Sequence, residues 1–260
     1  MKIHYLGTCS GTEPMPNIHH SSLILETGGV YYWFDAGECC IHTACAMGLD
    51  VTKTCAIFIS HPHIDHIGGL ANLFACIGKL IRRYGLRLIR DNTLDIFFPN
   101  PELLQAIKLV SNSGFDTPLS FTMHEHKTKA GLLFADENIR VTALHNTHLK
   151  ATGIQEPLAF SFLIEAEGKR IVFSGDVGHP EELDPLIGEH CDLLIMETGH
   201  HAVTAVCEYA VKKPIDNLHF THHGREILND RQAAEALTSR YAAEHPITIK
   251  ICHDAMTEAL

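Results

Sequence analysis

The octapeptide Ser60-His61-Pro62-His63-Ile64-Asp65-His66-Ile67 places three histidines and an aspartate directly after an apolar run, residues 55–59. The run is short and apolar enough to predict a buried strand. Imidazole and carboxylate groups bind divalent metal ions, and a strand end holds them more rigidly than a loop does. His61 and His63 can chelate one ion, while Asp65 and His66 can serve a second ion about 3.5–4 Å away. The stretch therefore predicts a two-metal site, and a solvated histidine-rich loop is the alternative.

The pattern HxHxDH, followed by Gly68-Gly69, resembles the first metal motif of the metallo-β-lactamase superfamily. That superfamily has three further ligands, each placed after a strand, and each has a counterpart in this chain. The counterparts are His148 after the predicted strand 140–144, Asp176 after 169–173 and His222 after 218–220. All four motifs stand in the order of the family.

The resemblance implies two divalent metal ions. Zinc is the usual metal of the family, and manganese, iron and nickel accept the same nitrogen and oxygen donors. One carboxylate can serve two ions because each ion stabilises the ionised form that the other needs. His223 is an alternative to His222, whereas His145 is expected in the core or beside a ligand. The two implied ligand sets are His61, His63, His148 and Asp176 for one ion, and Asp65, His66, His222 and Asp176 for the other.

The start of the chain resembles the ribonuclease Z-type branch of the superfamily. That branch opens with a strand and LGTxSG, found here at residues 6–11, and reads FDxGE before its metal motif, found here at residues 34–38. The resemblance places Asp35 near the metals, where it would orient a ligand histidine through the ring nitrogen that the metal does not use. A helix cap or turn is the alternative role. Cys39 and Cys40 are expected in the core or at a helix start.

Residues 94–101 resemble the strand and turn that precede a helix in the same branch. Asn100 suits the N-cap position and Pro101 the first helical position. Apolar residues follow at helical spacing, and Gly114 is the expected stop.

Downstream of Asp176 the branch has a strand that ends in a glutamate and a histidine that opens a helix. Residues 192–201 fit this signature, with Glu197 at the strand end and either His200 or His201 as the histidine. In the family the pair places a protonated histidine near the leaving-group oxygen, because the glutamate raises the pKa of the histidine. Helix capping is the alternative role for both histidines. The residues expected to act in catalysis are Asp65, Glu197, His200 and His201.

Ribonuclease Z grips transfer RNA with a long arm that, in the bacterial form, lies between the third-motif histidine and the bridging aspartate. Only 27 residues separate His148 from Asp176, and they must already contain two strands. The chain has 20 Lys and Arg against 31 Asp and Glu, a net charge of −11 that repels a polyanion. Transfer RNA is therefore not an expected substrate. One basic cluster is expected to be a solvated helix face rather than a phosphate contact: Lys79, Arg82, Arg83, Arg87 and Arg90.

The chain of 260 residues, with 45% hydrophobic content and no linker, is expected to form a single domain over residues 1–260. It has no signal-peptide pattern and no run of 18 apolar residues, so we expect a cytoplasmic protein without a membrane partner. The nine cysteines are odd in number and lack a CxxC pair, which predicts reduced thiols. A homodimer is left open.

Short strands alternate with amphipathic helices over residues 70–83, after His201 and over residues 230–243, which predicts a layered α/β fold. The resemblance sharpens this to a four-layer αββα sandwich of two facing sheets flanked by helices, with the metals at the sheet edge. Residues 247–251 resemble the closing strand of the family, and His253 beyond them is expected to be structural.

Three functions compete. The first is two-metal hydrolysis of a small phosphodiester, such as a cyclic nucleotide or another nucleotide derivative. The second is hydrolysis of a lactone, sulfate ester or thioester by the same ligands. The third is a non-catalytic metal-binding or sensor protein. The pairing of Glu197 with a histidine favours the phosphodiester, because an alkoxide or sugar hydroxyl leaving group needs a proton more than a lactone does.

Overall fold

The computed structural model describes residues 1–13, 15–113 and 119–260. The chain divides into two compact units, each built on one seven-stranded sheet. The expectation of a single domain stays a prediction. Unit 1 comprises Met1–Gly7, Pro16–Thr128 and Asp254–Leu260, and unit 2 comprises Thr8–Met15 and Lys129–His253.

The sheet of unit 1 has the strand order β14-β1-β2-β3-β4-β5-β6. Its strands are β1 (Lys2–Gly7), β2 (Ser22–Thr27), β3 (Val30–Phe34), β4 (Thr54–Phe58), β5 (Thr93–Phe98), β6 (Thr122–Lys127) and β14 (Met256–Ala259). Strands β3 to β6 run parallel. Their carboxyl ends therefore meet at one edge, where Asp35 and residues 60–66 follow β3 and β4.

The described residues of unit 1 form four helices: α1 (Cys40–Ala46), α2 (Ile64–Ile67), α3 (Leu70–Tyr84) and α4 (Pro101–Ser111), together with the 3-10 helix Val51–Lys53. One apolar core joins helix and sheet residues, including Phe74 of α3 and Trp33 of β3. Asn100 caps α4 as predicted, because its side chain accepts a hydrogen bond from Leu103 N at 3.1 Å. The predicted stop at Gly114 lies outside the described residues.

The helical stretch Ile64–Tyr84 has the length and composition of a membrane span, but half of its apolar window is buried inside the structure. The core helix of a soluble protein can have the same length and composition. Helix α3 buries one face in the core of unit 1. The basic residues Lys79, Arg82 and Arg83 of this helix are exposed on its other side. Helix α3 therefore has the features of a core helix of unit 1.

The sheet of unit 2 has the order β13-β12-β11-β10-β9-β8-β7. Its strands are β7 (Gly131–Ala135), β8 (Ile139–His145), β9 (Phe160–Ala166), β10 (Lys169–Phe173), β11 (Cys191–Glu197), β12 (Ile215–Thr221) and β13 (Thr248–Ile251). Its helices are α5 (Asp184–Ile187), α6 (Val203–Ala210), α7 (Arg225–Asn229) and α8 (Arg231–Glu244), with 3-10 helices at His148–Thr152 and Pro180–Leu183. Strands β10 to β13 run parallel, so their carboxyl ends meet at one edge. Glu197 is the last residue of β11, and Asp176 and His222 follow β10 and β12 at this edge.

The segment between His148 and Asp176 contains one 3-10 helix and strands β9 and β10. All nine cysteines lie within the described residues, and none forms a disulfide, as the sequence predicts.

Candidate metal centre

Four residues that follow β4 lie close together within unit 1. The Nε2 atom of His66 is 3.3 Å from Oδ2 of Asp65. The ring of His61 has its centroid 4.6 Å from that of His63 and 4.1 Å from that of His66. Only His63 is partly exposed; the other three side chains are buried. Unit 1 therefore presents a compact set of nitrogen and oxygen donors.

Asp35 directly follows β3 and is fully buried. It orients two of these donor histidines. Its carboxylate accepts hydrogen bonds from Ser60 N at 2.7 Å, from Ser60 Oγ at 2.8 Å and from Nδ1 of His66 at 2.7 Å. Ser60 Oγ in turn lies 3.0 Å from Nδ1 of His61. Because Nδ1 of both rings is held in this way, Nε2 is the nitrogen that each ring offers to a metal. Helix α1 begins after Cys39, so Asp35 does not cap it.

Two glycines let the loops after β3 and β4 touch. A Cβ atom on Gly69 would lie 2.2 Å from Gly37 O, and one on Gly37 would lie 2.5 Å from Asp65 O. The backbone of Ala36 bonds to both sides, with its N donating to His66 O at 2.7 Å and its O accepting from Gly69 N at 2.8 Å. The FDxGE and HxHxDHxGG patterns therefore contain glycine where the backbones approach most closely.

In unit 2, the carboxylate of Asp176 lies between two histidines. Its Oδ1 is 3.3 Å from Nε2 of His222, and its Oδ2 is 3.7 Å from Nε2 of His148. All three side chains are buried, with Asp176 only 2% exposed. Each oxygen thus faces a different imidazole, which is the arrangement that a carboxylate shared by two ions requires.

The structure distinguishes His222 from its neighbour His223. His222 turns toward Asp176, whereas His223 donates from Nε2 to Cys252 O at 2.9 Å. The carbonyl oxygen of His223 accepts from both N and Oγ of Ser10, which gives the serine of LGTxSG a structural role. Burial lowers the pKa of His223 to about 4, so this ring is a neutral part of the core.

Glu197 also distinguishes His200 from His201. Its oxygens lie 3.0 and 3.1 Å from Nδ1 of His200, and it accepts from His200 N at 2.9 Å. The ring of His200, which is 43% exposed, also has Nδ1 3.8 Å from Oδ2 of Asp176. His201 instead donates from Nε2 to Val177 O at 3.1 Å. His200 therefore lies between the two acids, while His201 holds the backbone beside them.

The acid and the histidine shift each other's pKa in opposite directions. Burial by itself raises the pKa of Glu197, but hydrogen bonds from His200 and His222 outweigh it and hold this pKa well below its usual range. The hydrogen bond to Glu197 raises the pKa of His200 against the effect of burial. The pair is thus a carboxylate beside an imidazole that binds a proton readily.

Some supporting residues were not recognised from the sequence. Asn146 accepts from His148 N at 3.1 Å and donates to Ser161 Oγ at 3.1 Å. Glu182 accepts from both the N and the hydroxyl of Thr147. Together they fix the loop that carries His148. Asn146 and Thr147 directly precede His148 in the sequence. Glu182 lies outside every motif, and only tertiary contact reveals it.

Four other residues were candidates for a place at or near the site: His145, Cys39, Cys40 and His253. His145 is partly buried and packs edge-on against Phe160, with ring centroids 5.8 Å apart. Cys39 is exposed at the start of α1, and Cys40 is buried, which raises the pKa of its thiol to about 12. His253 is exposed.

Comparison with known proteins identifies relatives over most of the chain. A family model described as "Anti-Pycsar protein Apyc1" matches residues 1–233. Ribonuclease Z of Methanothermobacter thermautotrophicus is 30% identical over 148 residues, which cover 57% of this chain and 45% of that protein. The chain spans about half the length of this and similar curated relatives.

Two solved structures resemble the whole chain. The metallo-β-lactamase fold protein YhfI from Bacillus subtilis has a TM-score of 0.73 at 18% identity and covers 99% of this chain and 98% of its own. Human tRNase Z, short form, has a TM-score of 0.70 at 21% identity and covers 100% of this chain and 99% of its own. The predicted metallo-β-lactamase fold and the resemblance to ribonuclease Z are therefore confirmed.

Proposed function

The chain belongs to the Anti-Pycsar protein Apyc1 family, and we propose that it is a metal-dependent hydrolase that acts on a small phosphodiester, such as a cyclic nucleotide or another nucleotide derivative. One observation carries the proposal. The two oxygens of Asp176 face two different histidines, His148 and His222, inside a buried set of donors. A carboxylate in this arrangement suits a centre of two divalent ions.

The donors fit such ions. Imidazole nitrogens and carboxylate oxygens accept zinc, manganese, iron and nickel, with zinc the usual metal of the superfamily. We propose the two ligand sets that the resemblance implies, with Asp176 shared between them. When bound, two divalent ions would lower the pKa of a water toward about 7 and stabilise the charge that develops on the phosphoryl oxygens.

Side chains around the ligands would orient the ligands and donate a proton. Asp35 and Ser60 hold Nδ1 of His66 and of His61, so that Nε2 of each ring would be the atom that binds a metal ion. Glu197 holds a proton on Nδ1 of His200, and Nε2 of the same ring would donate a proton to the leaving oxygen. This arrangement favours a phosphodiester, because an alkoxide or sugar hydroxyl is a poor leaving group without a proton.

A small substrate suits the chain better than transfer RNA. The segment between His148 and Asp176 contains only a 3-10 helix and two strands, and the net charge of −11 repels a polyanion. We also propose a cytoplasmic location.

The test is hydrolysis of cyclic nucleotides and bis(p-nitrophenyl) phosphate by protein reloaded with zinc or manganese after chelation. A lactone, a nitrophenyl sulfate, a thioester and a precursor transfer RNA serve as comparison substrates. We expect metal-dependent turnover of the diesters and no processing of the precursor. Turnover of only the lactone, sulfate or thioester would show that the substrate class is wrong. Metal binding without any turnover would instead indicate a sensor.

A further inference from the structure

A basic surface segment, residues 79–90, covers the end of helix α3 and the loop that follows it in unit 1. No aspartate or glutamate occurs between Asp65 and Asp91. The segment nevertheless contains five of the 20 lysine and arginine residues of the chain: Lys79, Arg82, Arg83, Arg87 and Arg90. It is therefore strongly positive in a chain whose net charge is −11.

Carboxylates of the described residues leave most of this charge unpaired. Lys79, Arg83 and Arg87 are exposed, and none of them forms an ion pair within the described part of the chain. Arg82 donates to the neutral hydroxyl of Ser120 at 2.6 Å. Lys79, Arg82 and Arg83 are three and four residues apart on α3, so they share one face, and they line a hollow of about 500 Å³. The hollow is open to anionic groups.

Large apolar side chains of the same segment are exposed beside the cations. Tyr84 at the end of α3 is 64% exposed, and Leu86 and Ile89 of the loop are 41% and 50% exposed. The loop is held in place from within, because Leu88 is buried and Ile89 N donates to Thr52 O at 3.0 Å. Basic side chains interleaved with exposed apolar ones are typical of a surface that lies on a lipid bilayer.

An anionic bilayer matches both the charge and the apolar side chains, whereas a nucleic acid matches the charge alone. Lipid phosphates attract lysine and arginine, and the boundary of the acyl chains accepts aliphatic side chains such as Leu86 and Ile89. Salt screens charges that are more than about 8 Å away, so the local charge of the segment governs its contact with a surface. The excess of carboxylates elsewhere would repel the bilayer and so restrict the contact to residues 79–90.

We propose that residues 79–90 bind reversibly to the surface of a bilayer that contains anionic lipids. The basic side chains contact the lipid phosphates, and Leu86 and Ile89 enter the boundary between headgroups and acyl chains. This contact needs no membrane-spanning helix, because the segment lies on the bilayer and does not cross it. The cytoplasmic leaflet carries anionic lipids, which agrees with the proposed cytoplasmic location.

The test is sedimentation of the whole protein with sucrose-loaded vesicles, made either of phosphatidylcholine alone or of phosphatidylcholine and phosphatidylglycerol in equal parts. We expect binding to the anionic vesicles only, and weaker binding as the salt concentration rises. Arg83→Gln and Arg87→Gln should each lower the partition coefficient about fivefold. Arg240→Gln, at an exposed arginine of α8 in unit 2, is the matched control and should bind as the unmodified protein does.

Two further variants test the apolar contact without changing the charge. Leu86→Ser and Ile89→Ser should each weaken binding to the anionic vesicles by about tenfold. Their midpoints of denaturant unfolding should stay close to that of the unmodified protein, since both side chains are exposed. Vesicle binding by both serine variants that equals that of the unmodified protein would overturn the proposal.

Other occupants of this surface would give different results. If the protein bound a mixed-sequence oligonucleotide but no vesicle, and Arg83→Gln abolished this binding while Leu86→Ser preserved it, the segment would be a nucleic-acid site. If the protein bound no vesicle and formed a dimer that dissociated in Leu86→Ser, measured by analytical ultracentrifugation, a second copy of the chain would cover the loop. Either result would overturn the proposal, as would equal binding to the two vesicle compositions or binding to neither.

Discussion

The carboxylate of Asp35 lies 2.7 Å from Nδ1 of His66, and both side chains are buried. The ring is therefore held by a charged acceptor rather than by water, and the same carboxylate also fixes Ser60. A carboxylate in this position sets the ring orientation and makes the other nitrogen a better metal ligand.

Replacing Asp35 by asparagine should weaken metal binding by about 10- to 100-fold, because the amide carries no charge to polarise His66. Chelator competition on the purified variant measures the effect. Asp91→Asn, at an exposed residue of the same unit, is the control and should bind metal normally. Unchanged affinity in Asp35→Asn would show that this contact does not support a ligand.

Replacing Asp176 by alanine should remove both buried metals, whereas His222→Ala should weaken mainly one of them. The reason is that the two oxygens of Asp176 face different histidines, 3.3 and 3.7 Å away. Metal per chain after dialysis is the measurement. Two retained ions in the Asp176 variant would exclude the bridging role.

The proposed general acid is His200 and not its neighbour His201. His200→Ala and Glu197→Gln should leave metal content intact and slow hydrolysis of a diester with an alkoxide leaving group by about 10²–10⁴-fold. His201→Ala is the matched control, since its ring bonds to Val177 O, and it should have the smaller effect on turnover.

The loss of turnover in His200→Ala and Glu197→Gln should be smaller for a substrate with a nitrophenolate leaving group, because nitrophenolate departs without a proton. Steady-state rates on the two substrates are the comparison. An equal loss on both would mean that the pair positions the substrate rather than donating a proton.

Gly69→Ala should destabilise the fold by about 1–3 kcal/mol, the usual cost of overpacking. Its new Cβ would lie 2.2 Å from Gly37 O, a backbone atom that cannot move without shifting the loop of Asp35.

Gly78→Ala is the matched control. This glycine lies inside α3, and its Cβ would meet only the flexible end of Arg82 at 3.2 Å. Alanine there should stabilise the helix by up to about 1 kcal/mol. Denaturant unfolding of both variants measures the contrast, and equal stabilities would show that the contact between the two loops is not tight.

The sequence by itself determined the fold and the order of the metal-binding residue types. Apolar runs and turn residues predicted the strands closely, as with residues 55–59 against the observed Thr54–Phe58, and Asn100 predicted the start of α4. These features are local, because hydrophobic periodicity and capping depend on neighbours within a few residues. The resemblance to a known superfamily then supplied the expected ligands.

The tertiary structure decided which of two adjacent histidines faces the donors. The two members of each pair have the same chemistry. The Thr-His order favoured His222 over His223, but the sequence did not separate His200 from His201. Their directions depend on partners distant in the chain, such as Cys252 for His223 and Val177 for His201. Neighbouring residues at a strand end point to different sides, so the contacts available on each side determine which histidine joins the donors and which joins the core.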